Sequence, residues 1–103
     1  MSRPPHISVQ TRAVLAQLLT LHPEWAHGYD LSKATDLKGG TLYPLLRRLH
    51  ESGHLDAEWE NSPLPGKPPR HLYRLSELGL KLAREQKKQL ERRTKAVPKG
   101  ALT

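Results

Sequence analysis

The chain has 103 residues, a net charge of +7 and 36% hydrophobic residues with no phenylalanine. This length fits one small domain, whose modest core favours dimerisation. With no cysteine, a disulfide framework, a thiolate metal site and a cysteine nucleophile are excluded. No apolar run is long enough to span a membrane and the N-terminus lacks a signal-peptide core, so the sequence predicts a cytoplasmic protein.

The positive charge is concentrated towards the C-terminus. Residues 76–103 hold eight Lys and Arg against three Asp and Glu, which is +5 of the total +7. The sequence pI of about 10.1 is in the range of nucleic-acid binders. Because most of the excess lies in one terminal segment, net charge alone does not identify a DNA-binding surface.

The N-terminal segment predicts an arm and one helix. Two prolines mark residues 1–7 as a flexible arm. A helix is predicted from Ser8 to His22, where Pro23 ends it. Residues 23–28 form a connector in which Trp25 is expected in the core. The apolar face of the helix consists of Val14, Leu15, Leu18, Leu19 and Leu21.

A short second helix and a glycine turn lead into a third helix. The second helix is predicted from Tyr29 to Thr35, with Leu31, Tyr29 and Ala34 facing inward and Lys33 outward. Residues 36–40, which end in two glycines, form a tight turn. A helix, a short glycine turn and another helix make a helix-turn-helix arrangement.

The third helix has one apolar face and one polar face. Because proline is expected only in a first turn, Pro44 places the start near Gly40 or Thr41, with Thr41 as the N-cap, and Gly53 stops the helix. A helix that enters the DNA major groove has this layout, although ordinary surface helices share it. The apolar stripe is Leu42, Leu45, Leu46 and Leu49, and the other side carries Thr41, Tyr43, Arg47, Arg48 and His50.

After Gly53 the apolar residues recur at every second position, which is the pattern of a β-strand. Residues 54–60 alternate, with Leu55, Ala57 and Trp59 on one face, and residues 70–75 form a second strand after a proline-rich loop. A strand pair after a helix-turn-helix predicts a winged-helix domain over residues 8–75, with the hairpin tip at residues 66–70 beside DNA. The fold class is therefore α+β and mainly α, with three helices and a two-stranded wing.

A final helix is predicted over residues 76–96, followed by a flexible tail over 97–103. Ser76 is its expected cap. Its apolar stripe thins after Leu82 and Ala83, and Leu90 stands nearly alone. The first half is expected to pack on the domain, while the basic second half is a solvated face or, alternatively, contacts phosphates.

Several segments resemble the PadR family of bacterial transcriptional regulators. They are HGYDL at 27–31, GTLYPLLRRL at 40–49, GHL at 53–55, WE at 59–60, GKPPR at 66–70 and YRLSELG at 73–79. The resemblance covers roughly residues 8–83. It implies a winged-helix homodimer, mostly a repressor, that binds pseudo-palindromic operators. The family's recognition-helix positions correspond to Thr41, Tyr43, Pro44, Arg47 and Arg48, and its wing positions to Lys67 and Arg70.

The resemblance also implies that the C-terminal helix serves dimerisation. Here that helix is short and poor in apolar residues, so the N-terminal helix is expected to take part of the interface. It also lacks the aromatic residues that line an effector pocket in some relatives, so any small-molecule effector is unknown, and no cofactor is expected. The candidate dimerisation residues are Leu15, Leu19, Leu78, Leu82 and Leu90.

Roles follow from side-chain chemistry. Arg47 is the candidate for base readout, because arginine makes a bidentate contact with guanine. Tyr43, one turn earlier, is expected to reach a phosphate or a thymine methyl, with half-buried packing as the alternative. Thr41 at the helix start suits a phosphate. Arg48 contacts DNA or pairs with Glu51 or Asp56. Backbone contacts are assigned to Lys33, Lys38, Lys67 and Arg70, and core positions to Tyr29 and Tyr73.

Two rival functions differ from DNA recognition. Six histidines and ten acids offer raw material for an enzyme, but no metal-ligand spacing, nucleophile elbow or phosphate-binding loop is present. The prediction is therefore no catalysis and no metal. A winged helix used for protein contact or RNA binding remains the alternative to a double-stranded DNA partner.

Overall fold

A computed structural model of the chain describes residues 7–60, 66 and 70–95, with side chains up to residue 92 in the last helix. This part of the chain holds four helices and a three-stranded antiparallel sheet, which confirms the predicted winged helix-turn-helix class. The elements are α1 (Val9–Leu21), β1 (Ala26–His27), α2 (Gly28–Thr35), α3 (Gly39–Glu51), β2 (Leu55–Glu60), β3 (Arg70–Leu75) and α4 (Glu77–Lys95).

Helix α1 begins directly after a capping serine. The Ser8 hydroxyl accepts a hydrogen bond from the Thr11 backbone N–H at 3.1 Å, which satisfies one of the free donors of the first turn. Val14, Leu15 and Leu18 are at most 1% exposed and form the centre of the core with the leucine stripe of α3. The predicted span for α1 is confirmed to within one residue at each end.

Helix α3 begins earlier than predicted. Its first residue is Gly39 and its N-cap is Lys38, so the expectation that Thr41 caps the helix is wrong. Pro44 is the sixth residue of α3, beyond the first turn. The proline ring removes the hydrogen bond to the Gly40 carbonyl, but Gly40 is exposed and water can satisfy that oxygen. The buried stripe of Leu42, Leu45, Leu46 and Leu49 is confirmed.

The sheet contains a strand that the sequence did not predict. Strand order is β1-β3-β2, and β1 occupies part of the predicted connector. Ala26 pairs with Tyr73 and His27 pairs with Leu72. Two residues are too short to show an alternating pattern, which is why this strand could not be recognised from the sequence. It joins the start of α2 directly to the wing, meaning β2, β3 and the loop between them.

Four aromatic or apolar side chains are more exposed than the sequence pattern suggests. Tyr73 is buried as predicted, at 6% exposure, but Tyr29 is 65% exposed and Ala34 is also exposed. Trp59 lies on the same strand face as Leu55 and Ala57, yet near the outer end of β2 it is 65% exposed. Trp25 is half-buried, and the Arg74 guanidinium lies 4.3 Å from its ring centroid.

Helix α4 begins after its predicted cap. The Ser76 hydroxyl accepts from the Gly79 N–H at 3.1 Å and donates to the Gly53 carbonyl at 2.6 Å. The predicted arm (except Ile7), the tail and most of the loop at 61–69 lie outside the described residues. In the part of the chain that is described, no helix combines the length and apolarity needed to cross a lipid bilayer.

Candidate nucleic-acid interface

The five predicted recognition residues are all exposed on α3, but they point in different directions. With 3.6 residues per turn, Pro44 and Arg47 lie opposite the buried leucine stripe. Tyr43 lies on the flank that faces the wing. Thr41 and Arg48 lie on the other flank. Arg47 therefore occupies the centre of the exposed face.

Arg48 faces away from the wing. It lines a shallow depression of about 360 Å³ together with Ile7, Thr11 and Leu82. The alternative ion pair with Asp56 is wrong, because Asp56 pairs with Arg74 across the strands, at 3.5 Å between Arg74 Nε and Asp56 Oδ2. Within the described ranges Arg48 has no ion pair with Glu51 either. Its side chain is free to meet a phosphate at the edge of α3.

A cleft of about 590 Å³ separates α3 from the wing, and we call it the wing cleft. Its walls come from the start of α2, the exposed face of α3 and the outer ends of β2 and β3. Five of its side chains carry aromatic rings, two of them imidazoles, and one carries a guanidinium. The lining residues are His27, Gly28, Tyr29, Asp30, Tyr43, Trp59, Arg70 and His71.

Tyr43 is both packed and exposed. Its ring lies over Gly28, where an added Cβ would be 2.8 Å from Tyr43 Cε1 and 3.0 Å from the hydroxyl oxygen. The side chain is still 45% exposed. The two interpretations of Tyr43 are therefore compatible, because one face rests on glycine backbone and the rest borders the wing cleft. Sequence reasoning assigned no role to Gly28, although it lies within the HGYDL segment.

Gly28→Ala tests this contact. The new methyl group must displace the Tyr43 ring, which can rotate, so we expect the fold to persist while DNA affinity falls by on the order of 1 kcal/mol. Gly40→Ala is the matched stability control, because no atom lies within 4 Å of a Cβ at that position. Affinity is measured by duplex titration and stability by urea unfolding. Unchanged affinity in Gly28→Ala would contradict the positioning role.

His27 connects the start of α2 to the end of β2. Its Nδ1 lies 3.3 Å from Asp30 Oδ2 and its Nε2 lies 3.1 Å from Glu60 Oε1. One imidazole thus lies next to two carboxylates at one edge of the wing cleft. These acids give that edge a negative character, which disfavours a phosphate there.

A stack of three rings forms the wing side of the cleft. Trp59 and His71, which are cross-strand partners, stack with centroids 4.2 Å apart and planes at 9°. His71 Nδ1 and the Tyr73 hydroxyl are hydrogen-bonded at 2.9 Å. Burial, and secondarily the nearby His50, lowers the pKa of His71. Burial raises the pKa of Tyr73, with Tyr43 adding to the rise and Arg47 opposing it. The stack is therefore uncharged at neutral pH.

The lowered pKa of His71 predicts a pH dependence of stability. Above the ordinary value of 6.5, His71 is neutral in both the folded and the unfolded chain. As pH falls through 6.5, the unfolded chain binds the proton first, so the free energy of unfolding decreases. His71→Phe, which keeps a ring for the stack, should flatten this part of the stability–pH curve in urea unfolding. An identical curve for both proteins would contradict the assignment.

Some of the cationic side chains that are predicted to contact the DNA backbone lie around α3 and the wing cleft. Lys38 caps α3, Arg70 is exposed at the start of β3, and Lys33 Nζ lies 4.9 Å from the Tyr29 ring centroid. Lys67 lies outside the described residues. Arg70 lines the wing cleft, whereas Lys33 and Lys38 lie on α2 and at the start of α3.

The predicted dimerisation residues divide into two groups. Leu15 is 0% exposed in the core of its own chain, so it has no surface to offer a partner and that assignment is wrong. Leu78 and Leu90 are 50% and 57% exposed, and Leu82 is half-buried. Leu19 and Leu90 line a groove of about 250 Å³ between α1 and α4.

A helix-turn-helix whose second helix exposes a central arginine, followed by a wing, defines a winged helix-turn-helix protein. The sequence model of the protein family described as "Transcriptional regulator PadR-like family" matches residues 17–85, about two thirds of the chain. The chain therefore belongs to the PadR-like family of transcriptional regulators, a DNA-binding class rather than an enzyme class.

Solved structures agree with this assignment. A PadR-like transcription factor from Bacteroides fragilis is 31% identical, with a TM-score of 0.67, and the match covers 84% of this chain and 86% of that chain. A PadR family regulator from Clostridium difficile is 26% identical, with a TM-score of 0.66 and coverage of 88% and 98%. NadR, solved with 4-hydroxyphenylacetate, is 20% identical at a TM-score of 0.70 over 87% of this chain and 60% of its own, which shows the fold alone. Among curated proteins, none matches the chain significantly.

Proposed function

We propose that the chain is a sequence-specific repressor that binds a pseudo-palindromic operator as a homodimer. The observation that carries the proposal is the exposed face of α3. Arg47 lies at its centre, opposite four leucines that fix the helix in the core. A helix held in this way presents its arginine rigidly to a base edge in the major groove.

The residues around Arg47 divide between base and backbone. Tyr43 borders the wing cleft and suits a phosphate or a thymine methyl. Thr41 and the N–H groups of the first turn of α3 suit a phosphate, because that end of a helix carries partial positive charge. Arg48 serves the backbone on the other flank. The remaining backbone contacts are assigned to Lys33, Lys38, Lys67 and Arg70.

Dimerisation is supported by the apolar surface of α1 and α4. Leu19 and Leu90 border one groove between these helices, and Leu78 is half-exposed farther along α4. Pairing this surface with a second copy would add core to a small domain. In the proposed homodimer the two α3 helices bind half-sites about one helical turn, or a multiple of it, apart. Repression is proposed because the chain resembles a family whose members are mostly repressors.

The test is a titration of the protein into a duplex from its own upstream region and into a scrambled duplex, at two salt concentrations. A sequence-specific regulator should prefer the first by at least about a thousandfold and show a steep salt slope. Sedimentation of the free protein should give the mass of a dimer. Equal affinity for both duplexes would overturn operator specificity. Binding to neither would favour the protein-contact alternative.

A further inference from the structure

We propose that Trp59 is a DNA-contact residue of the wing, whose exposed indole face packs against a deoxyribose of the strand that crosses the wing cleft. This inference rests on the proposed function, because it assumes that DNA lies across α3 and the wing. It adds a contact of a different physical kind from the cations, since an indole face is apolar and makes no ion pair.

The first observation is the exposure of a large apolar side chain. Trp59 is 65% exposed, although tryptophan buries more area than any other residue when it can. It lines the wing cleft with Tyr43 and Arg70, two residues already assigned to DNA contact. The cleft is continuous with the exposed face of α3 through Tyr43, which lines it, and this continuity identifies the occupant as duplex DNA.

The second observation is that the exposed ring is held in place. One face of the indole is covered by His71 at 4.2 Å, and His71 is in turn hydrogen-bonded to Tyr73, which is 6% exposed. A ring fixed in this way loses little conformational entropy when it is covered by a partner. Because Trp59 is 65% exposed, the rest of its ring surface is left for a partner.

The third observation decides between sugar and phosphate. Asp30 and Glu60, both bound to His27, lie at one edge of the cleft and repel a phosphate. Arg70 lines the same cleft and attracts one. Arg70 is the cross-strand partner of Glu60, so the charges next to Trp59 offset one another. The apolar ring face of Trp59 therefore suits a deoxyribose rather than a phosphate.

Salt dependence separates this contact from an ionic one. Trp59→Ala should weaken binding about tenfold, the value expected for uncovering one indole face, with the salt slope unchanged. The loss should be equal on operator and scrambled duplexes, because a sugar carries no sequence information. Arg70→Ala is the comparison within the same cleft, and it should lower the salt slope by about one. A lower slope in Trp59→Ala would overturn the proposal.

Trp59→Phe tests the ring itself. Phenylalanine retains an apolar face but has no indole N–H, so it should recover most of the affinity that Trp59→Ala loses. If Phe lost as much as Ala, the contact would be a hydrogen bond from the indole and the packing proposal would fail. Thermal unfolding is the control: both variants should keep the melting temperature of the unaltered protein, so that a loss of DNA affinity cannot be attributed to the fold.

Tryptophan fluorescence tests the proposed contact of Trp59 with DNA whether or not the protein prefers its operator. In a Trp25→Phe background, Trp59 is the single tryptophan. Saturating duplex, operator or scrambled, should protect its fluorescence from acrylamide quenching. Quenching that stays the same in saturated complexes would overturn the Trp59 contact. Protection on both duplexes at equal affinity would instead retain the contact while the proposed operator specificity failed.

Discussion

Gly79→Ala is expected to destabilise the fold by about 3 kcal/mol or more, because the new methyl group has no room. A Cβ at this position would overlap the backbone carbonyl oxygen of His54, and Leu75 Cδ2 would lie at 3.2 Å. The obstructing atoms are backbone and core, so neither can swing aside as an exposed side chain would. For a domain of this size, a loss of this magnitude is a large part of the total stability.

The contact at Gly79 belongs to a tight joint between α4 and the end of α3. The Ser76 N–H donates to the His54 carbonyl at 3.1 Å, and the Ser76 hydroxyl donates to the Gly53 carbonyl. Gly53 itself has a φ of 84°, which permits the chain to turn there. Moving α4 outward to admit a methyl group would break these bonds as well as the core contacts of Ala83.

Urea unfolding checks this expectation, with Gly40→Ala as the control. Both substitutions add one methyl group to a helical glycine, but the Gly40 position is open. The control should therefore be neutral or more stable by about 0.5–1 kcal/mol, since alanine favours a helix. Equal unfolding midpoints for the two variants would show that α4 does not pack against the 52–54 turn as described.

The sequence predicted those features of the fold that depend on local pattern. The leucines of α3 repeat at helical spacing, and the cap of α4 at Ser76 is marked by its side-chain type. The start of α3 was wrong because Pro44 was assumed to lie in a first turn, whereas an exposed Gly40 carbonyl tolerates the lost bond. Strand β1 was missed because two residues carry no period.

The candidate site rests on residue types that the sequence shows and on contacts that only the structure shows. Helical spacing in the sequence already favours Arg47 for base readout, but the position of Arg48 beside Ile7 and Thr11 depends on how the helices pack. The contact of Tyr43 with Gly28 and the stack of Trp59 on His71 join residues that are distant along the chain. Such contacts are fixed by sheet register and helix packing. Neither of these can be read from the local periodicity of the sequence.

Arg47→Ala should have the largest effect on recognition, because Arg47 is at the centre of the exposed face of α3. A lost bidentate contact with guanine costs about 1–3 kcal/mol and relaxes specificity at one base pair. The variant should therefore lose more affinity for the operator than for a scrambled duplex. Titration against operators that each carry one changed base pair would locate the position at which discrimination disappears.

Arg48→Ala is the matched control for this experiment, since it removes the same charge from the adjacent residue of the same helix. Arg48 lies on the flank near Ile7 and Thr11, away from the wing cleft, and is assigned to the backbone. Its loss should weaken operator and scrambled duplexes alike and lower the salt slope by about one. If both variants lost equal affinity on both duplexes, Arg47 would be a phosphate contact and base readout would have to come from another residue of α3. If only Arg47→Ala loses affinity, and only for the operator, Arg47 is the residue that reads the sequence. Arg47 lies opposite the buried leucine stripe of α3.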